Sequence, residues 1–125
     1  MGAGTNGSGA TVIAFPQAQL THARSLQIGF DRLELQRILD LYGRMVAAGQ
    51  WRDYAMDFGR DAANFSAFRR SSERPQARIE KRPSLRGRQG MWTLFGDAGQ
   101  VLKRGHELSG VLFPLERRLL KIVEE

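Results

Sequence analysis

Cysteine is absent from this 125-residue chain, and so is any long apolar run. Without cysteine the chain has no disulfide framework and no thiolate metal site, which fits a reducing compartment. No apolar run approaches the ~20 residues that a helix needs to cross a bilayer. The first residues lack the basic region and the apolar length of a signal peptide. We therefore expect a soluble cytoplasmic protein with no membrane partner.

Catalytic motifs are missing as well. No glycine-rich run precedes Gly-Lys-Ser/Thr, as a Walker loop requires, and no Gly-x-Ser-x-Gly elbow occurs. Residues 2–9, GAGTNGSG, share only composition with a phosphate loop, because they follow no predicted strand and open no predicted helix. We expect no cofactor and favour a non-enzymatic protein, while the sequence leaves enzymatic activity open.

Lysine is scarce, and arginine carries most of the positive charge. Three lysines stand against 16 arginines, and the formal net charge is +6. The segment from Arg69 to Arg104 holds ten cations and three acids, a local charge of +7, so the rest of the chain is close to −1. A basic middle favours a polyanionic partner. The alternative is a solvated surface that only keeps the protein soluble.

A capped amphipathic helix is predicted between Asp31 and Gly49. Asp31 suits the N-cap, and Glu34 three residues later completes a capping box. Phe30 and Leu35 fit a hydrophobic staple. Gly49 suits the residue after the helix. The predicted apolar face consists of Leu35, Ile38, Leu39, Tyr42, Met45 and Val46.

Alternating patterns predict four or five short strands after this helix, over residues 51–58, 63–70, 76–82, 91–96 and 100–104. The last two form the clearest hairpin, with Gly99 in the left-handed position of a three-residue loop. That register sets Leu94 opposite Leu102 and Phe95 opposite Val101. A second helix follows Gly105, with its apolar stripe at Leu108, Val111, Leu112, Leu115, Leu119 and Ile122. Either this helix kinks at Pro114, or its regular part begins near Phe113.

The predicted fold class is α+β, with an antiparallel meander of four or five strands and an N-terminal and a C-terminal helix packed on it. The helices share one face of the sheet or take one each. We expect residues 1–28 to form a flexible tail, with a possible short strand at residues 11–15 and a solvated His22. Residues 29–125 form a single domain.

Four uncommon strings occur in order: LYGRMVAAGQWRDYAMDF, RIEKRP, RGRQG and LKRGHEL. They resemble the signature stretches of an uncharacterised alphaproteobacterial family, domain of unknown function 2794, over roughly residues 30–123. The resemblance implies a bacterial cytoplasmic protein. It supplies no activity, substrate or site residues.

Polar clusters offer two candidates for chemistry. Asp53 and Asp57 share a face of a predicted strand and, with His106, could gather a hard cation. Solvated charge on an outer face is the simpler interpretation, and we assign no metal site. His106 beside Glu107 could titrate near neutral pH, or the two could lie at the start of the second helix.

The basic segment is the strongest functional candidate. If Ile79 faces the core, Arg78 and Arg82 lie on the opposite face with Glu80 between them, and a hairpin with its loop at Ser71 to Pro75 sets Phe68 opposite Arg78. Guanidinium groups bind phosphates, and an exposed ring stacks on unpaired bases. We predict contact with RNA or DNA through this surface. Its residues are Phe68, Arg69, Arg70, Arg74, Arg78, Arg82, Arg86 and Arg88.

Two alternatives stay open. The second helix could cover Phe68, which would make its contact with Arg78 structural. The protein could also be an interaction or adaptor domain, including a homodimer, that uses a sheet edge or the apolar Leu112–Phe113 region. Salt separates the functions, because phosphate binding weakens steeply with salt and an apolar interface does not.

Overall fold

The computed structural model describes residues 27–70 and 74–124, and the elements follow the predicted order. The helices are α1, Arg32–Ala47, and α2, Leu108–Glu124. The strands are β1, Asp53–Phe58; β2, Ala63–Phe68; β3, Ala77–Lys81; β4, Trp92–Phe95; and β5, Val101–Gly105. A 3₁₀ turn spans Pro83–Leu85. The α+β fold class is confirmed. Most of the predicted tail, its candidate strand and His22 lie outside the described residues.

The sheet is an antiparallel meander in the order β1-β2-β3-β4-β5, as predicted from the short connections. Phe95 pairs with Val101, which confirms part of the predicted hairpin register, and Gly99 has φ +79°. Leu94 pairs with Lys103 rather than with Leu102, so that part of the prediction is wrong. A bulge between Leu94 and Phe95 shifts the register by one residue.

Both helices cover the same face of the sheet. Glu116 of α2 accepts from Arg37 at 2.8 Å and from Arg44 at 3.5 Å, so ion pairs join the two helices. Their apolar faces meet the alternate strand residues Phe65, Ile79 and Leu94 in one buried core. Among residues 27–70 and 74–124, no helix lies on the other face of the sheet. Of the two arrangements that the sequence left open, the structure has the one-sided layer.

The first turn of α1 has the predicted capping box. Asp31 Oδ1 accepts from the Glu34 amide, and Glu34 Oε1 accepts from the Asp31 amide, both at 2.8 Å. Glu34 also pairs with Lys81 Nζ at 2.7 Å, which ties the helix start to β3. The predicted apolar face needs one correction, since Leu41 is buried and Val46 is 40% exposed.

Replacing Asp31 with alanine should lower the free energy of unfolding by about 1 kcal/mol, because the Glu34 amide loses its acceptor. Urea unfolding followed by circular dichroism measures this loss. Asp40→Ala is the matched control, since Asp40 makes an exposed ion pair with Arg44 worth about 0.3–0.5 kcal/mol. Equal losses in the two variants would contradict a role for the cap.

Helix α2 begins at Leu108 and continues through Pro114. A start near Phe113 is therefore wrong. Because proline has no backbone N–H, the helix lacks the hydrogen bond that residue 114 would otherwise donate to the carbonyl one turn earlier. Within residues 27–70 and 74–124, neither helix has the length and apolar character needed to span a membrane.

Candidate functional site

The side of the sheet opposite α1 and α2, called here the open face, carries the side chains that alternate with the core residues. Pairing across the strands sets these side chains in rows. One row joins Asp57, Asn64, Glu80, Thr93 and Arg104, and the next joins Ala55, Ser66, Arg78, Phe95 and Val101. Strands that alternate between apolar and polar residues bury one face and expose the other. Packing of the core therefore does not account for the residue types on the open face.

Glu80 lies at the centre of the open face between two predicted site arginines. Its carboxylate accepts from Arg82 Nη2 at 3.2 Å and Nε at 3.3 Å, and Arg78 Nη1 lies 3.6 Å from Oε2. Glu80 is only 9% exposed. Its hydrogen bond and negative charge raise the pKa of Arg82, so the guanidinium stays charged. One carboxylate thus partly neutralises both arginines.

Three neighbouring side chains hold Arg78 in place. Its guanidinium carbon lies 4.0 Å from the centre of the Phe95 ring, an arrangement typical of a cation–π contact. Its Nη1 donates to Asn64 Oδ1, and Glu80 lies on the same side. The side chain remains 33% exposed. Arg78 is therefore fixed in place while part of it still faces solvent.

Arg104 also lies on the open face, although the sequence analysis did not predict it as a site residue. Arg104 Nε donates to Thr93 Oγ1 at 3.2 Å, and Arg104 Nη1 donates to Gln89 Oε1. The predicted hairpin register sets Arg104 opposite Trp92, on the core face, and the bulge brings it opposite Thr93 instead. The sequence contained one sign of this shift, because the predicted register places a charged arginine on the core face opposite a tryptophan. The bond to Gln89 also ties the loop after β3 to the open face.

Phe68 lies on the open face, so α2 does not cover it. The ring is half-buried and stands at the row of Asp53, its partner on β1. The predicted pairing with Arg78 is wrong, because Ser66 is the residue opposite Arg78. Strand β2 ends at Phe68 and β3 begins at Ala77, so the loop between them has more residues than the predicted loop, 71–75. The longer loop moves the register by two residues.

The seven predicted arginines do not form one cluster. Arg69, Arg70 and Arg74 lie at the end of the sheet where β3 begins. Arg82, Arg86 and Arg88 lie at the other end, where β3 leads into the 3₁₀ turn, and Arg78 stands between the groups. With ~3.3 Å per strand residue, the Cα atoms of Arg78 and Arg82 are about 13 Å apart, although both guanidinium groups reach the Glu80 carboxylate. The cations therefore follow β3 from end to end.

Acids and cations occupy different parts of the open face. Asp53 and Asp57 lie on β1 at one edge, whereas the arginines begin at β3 and continue to Arg104 on β5. The basic part also contains Glu80, which is already paired, and Asp97 in the β4–β5 turn. A polyanion is consequently favoured on the half of the face that β3, β4 and β5 form.

The metal alternative disagrees with the topology. Asp53 and Asp57 lie on the β1 edge, while His106 follows β5 at the opposite edge. Four strand spacings of ~4.8 Å separate the edges by about 19 Å. Calcium ligands lie ~2.3–2.6 Å from the ion, so these residues cannot share one. In the described part of the chain, no three acidic or histidine residues gather as a metal site.

The fold and the open face define the class of protein: a small α+β domain whose two described helices cover one side of the sheet and whose other side carries arginines. The chain belongs to the family described as Protein of unknown function (DUF2794), whose profile it matches over residues 28–112. A search of the curated proteins and a search of the solved structures each found no match.

Proposed function

We propose that the protein is a non-enzymatic binding module that contacts nucleic acid through the basic half of its open face. One observation supports this most: both helices cover the same side of the sheet, leaving the arginines of the other side accessible. Sheets with an open face that carries aromatic rings are a known platform for single-stranded nucleic acid. Here Phe68 and Phe95 occupy that face beside the cations.

The exposed arginines are assigned to phosphate contacts. Arg69, Arg74, Arg86 and Arg88 are exposed at the two ends of β3. Arginine forms bidentate hydrogen bonds with phosphate oxygens, and such contacts position a nucleic acid without reading its sequence. Arg78, Arg82 and Arg104 are engaged with other side chains, so their charge is less available.

Reversing two exposed charges should weaken binding at least ~10-fold, since each lost phosphate contact also removes a counterion release. The variant is Arg86→Glu/Arg88→Glu. Fluorescence anisotropy with labelled single-stranded RNA and with duplex DNA, over a salt series, gives the affinity and its salt slope. Wild-type binding should fall steeply with salt.

The matched control is Arg32→Glu/Arg117→Glu, which makes the same charge change on the two helices, away from the open face. It should bind within about twofold of the wild type, as distant charges are screened beyond the ~10 Å Debye length. No wild-type binding at low salt would refute the proposal. Equal losses in both double variants would show that net charge, and not this surface, drives binding.

A second proposal is a protein-interaction or adaptor domain, including a homodimer. Phe113, Leu120 and Val123 are 55%, 62% and 71% exposed on α2. Their spacings of seven and three residues set them on one side of the helix. The predicted Leu112–Phe113 patch is half wrong, because Leu112 is fully buried. An interaction domain predicts no binding of either labelled nucleic acid at low salt, so the same experiment separates the two proposals.

A bacterial, cytoplasmic setting completes the proposal. The family resemblance implies a bacterial source, and a chain without cysteine needs no oxidising compartment.

A further inference from the structure

A cleft opens on the basic half of the open face, beside Arg78. It has a volume of about 230 Å³. Arg74, Arg78 and Phe95 line it together with Pro75, and residues 96–99 of the β4–β5 turn close it. Sites for drug-sized ligands run to ~300–1,000 Å³, so this cleft suits one planar group rather than a larger molecule.

Arg78 is poorly placed to hold a phosphate. Its Nη1 is already bonded to Asn64 and faces Glu80, and the carboxylate repels an anion. The guanidinium is nevertheless planar, and the Phe95 ring and the two acceptors hold it still. A guanidinium plane that is fixed in advance is a surface on which a nucleobase stacks.

The neighbouring positions leave room for such a base. Gly99 stands at the turn, where even an added Cβ would meet no atom within 4 Å. Arg74 is exposed on the rim of the cleft. A base on Arg78 would therefore have a cation beside it for the adjoining phosphate.

We propose that the cleft beside Arg78 and Phe95 takes one unpaired base of a single-stranded nucleic acid, with Arg74 on the adjoining phosphate. This inference rests on the proposed function and assigns it a substrate class. Bases in a duplex are already stacked and paired, so they cannot enter the cleft. Of the two arginines that line the cleft, Arg78 already faces Glu80, so Arg74 is the cation left for the phosphate.

The test compares two labelled single strands of equal length, one ordinary and one with abasic sites throughout, by fluorescence anisotropy. Stacking one base changes affinity about 5- to 150-fold, so the wild type should prefer the ordinary strand by at least ~5-fold. Arg78→Lys keeps the charge and removes the plane, and Phe95→Leu removes the supporting ring. Both variants should bring the preference close to one.

Arg32→Lys is the control, because Arg32 is exposed on α1 and lies outside the cleft. It should keep the wild-type preference. The preference is a ratio within one protein, so a partial loss of folded protein cancels. DNA and RNA versions of both strands show whether the sugar matters. Arg74→Ala should lower the salt slope by about one, as expected for one phosphate contact.

The outcomes separate the two proposals. Failure of every probe to bind the wild type at low salt overturns the proposed function and this inference with it. Salt-dependent binding with equal affinity for ordinary and abasic strands overturns the inference alone. A preference that survives in both Arg78→Lys and Phe95→Leu also overturns it. A preference lost in both variants and kept in Arg32→Lys supports it.

Discussion

Replacing Trp92 with alanine should lower the free energy of unfolding by about 3–5 kcal/mol. Trp92 is 2% exposed and sits on the core face of β4. Phe30, just before α1, stacks on it at 6.1 Å between ring centres and an angle of 9°. Alanine would leave a cavity under Phe30, so the segment that leads into α1 would lose its support.

Urea unfolding followed by far-ultraviolet circular dichroism measures this effect without depending on tryptophan fluorescence. Domains are typically stable by ~5–15 kcal/mol, so the midpoint should fall by a large fraction. Phe113→Ala is the control: it removes an aromatic ring that is 55% exposed and should change stability by no more than about 0.5 kcal/mol. A loss below ~1 kcal/mol for Trp92→Ala would show that this ring does not support the core.

Replacing Gly90 with alanine should cost about 2–5 kcal/mol for two separate reasons. Gly90 has φ +97°, where an L side chain is strained by ~1–2 kcal/mol. An added Cβ would also lie 2.3 Å from the Gly105 carbonyl carbon and oxygen and 2.8 Å from the His106 nitrogen. Backbone atoms cannot move aside cheaply, and forced overpacking costs ~1–3 kcal/mol.

Gly43→Ala provides a control of opposite sign. Gly43 lies within α1, and a Cβ there meets nothing within 4 Å. Alanine should therefore stabilise the helix by about 0.5–1 kcal/mol. Thermal unfolding of both variants checks the pair. A melting temperature for Gly90→Ala equal to that of the wild type would contradict the close approach of residue 90 to β5.

Local patterns predicted the elements well, because their determinants are close in sequence. The capping box of Asp31 and Glu34 needs only residues of one helical turn. Strand alternation likewise separated Ile79 from Arg78 and Glu80, and the structure places them on opposite faces. The start of α2 was harder to predict from the sequence, because the low helix propensity of proline argues against a helix through Pro114. In the structure, the buried residues Val111, Leu112 and Leu115 stabilise that helix by packing in the core.

The candidate site was only partly predictable. Arg74, Arg78 and Arg82 could be placed along β3 from charge and alternation alone. The neighbours of Arg78 depend on strand registers, and two of these were wrong: β2–β3 by two residues, and β4–β5 by a bulge. The register between two strands depends on the length of the loop that joins them and on which face is buried. A short alternating segment does not contain either piece of information.

The sequence by itself determined the helix–meander–helix order, the basic middle segment and the family, because these depend on local periodicity, composition and short strings. Only the tertiary structure decided that both helices cover one face, and that Phe95 rather than Phe68 meets Arg78. These features arise from contacts between residues distant in sequence. Such contacts are selected by burial of the whole core, and no single segment contains that information.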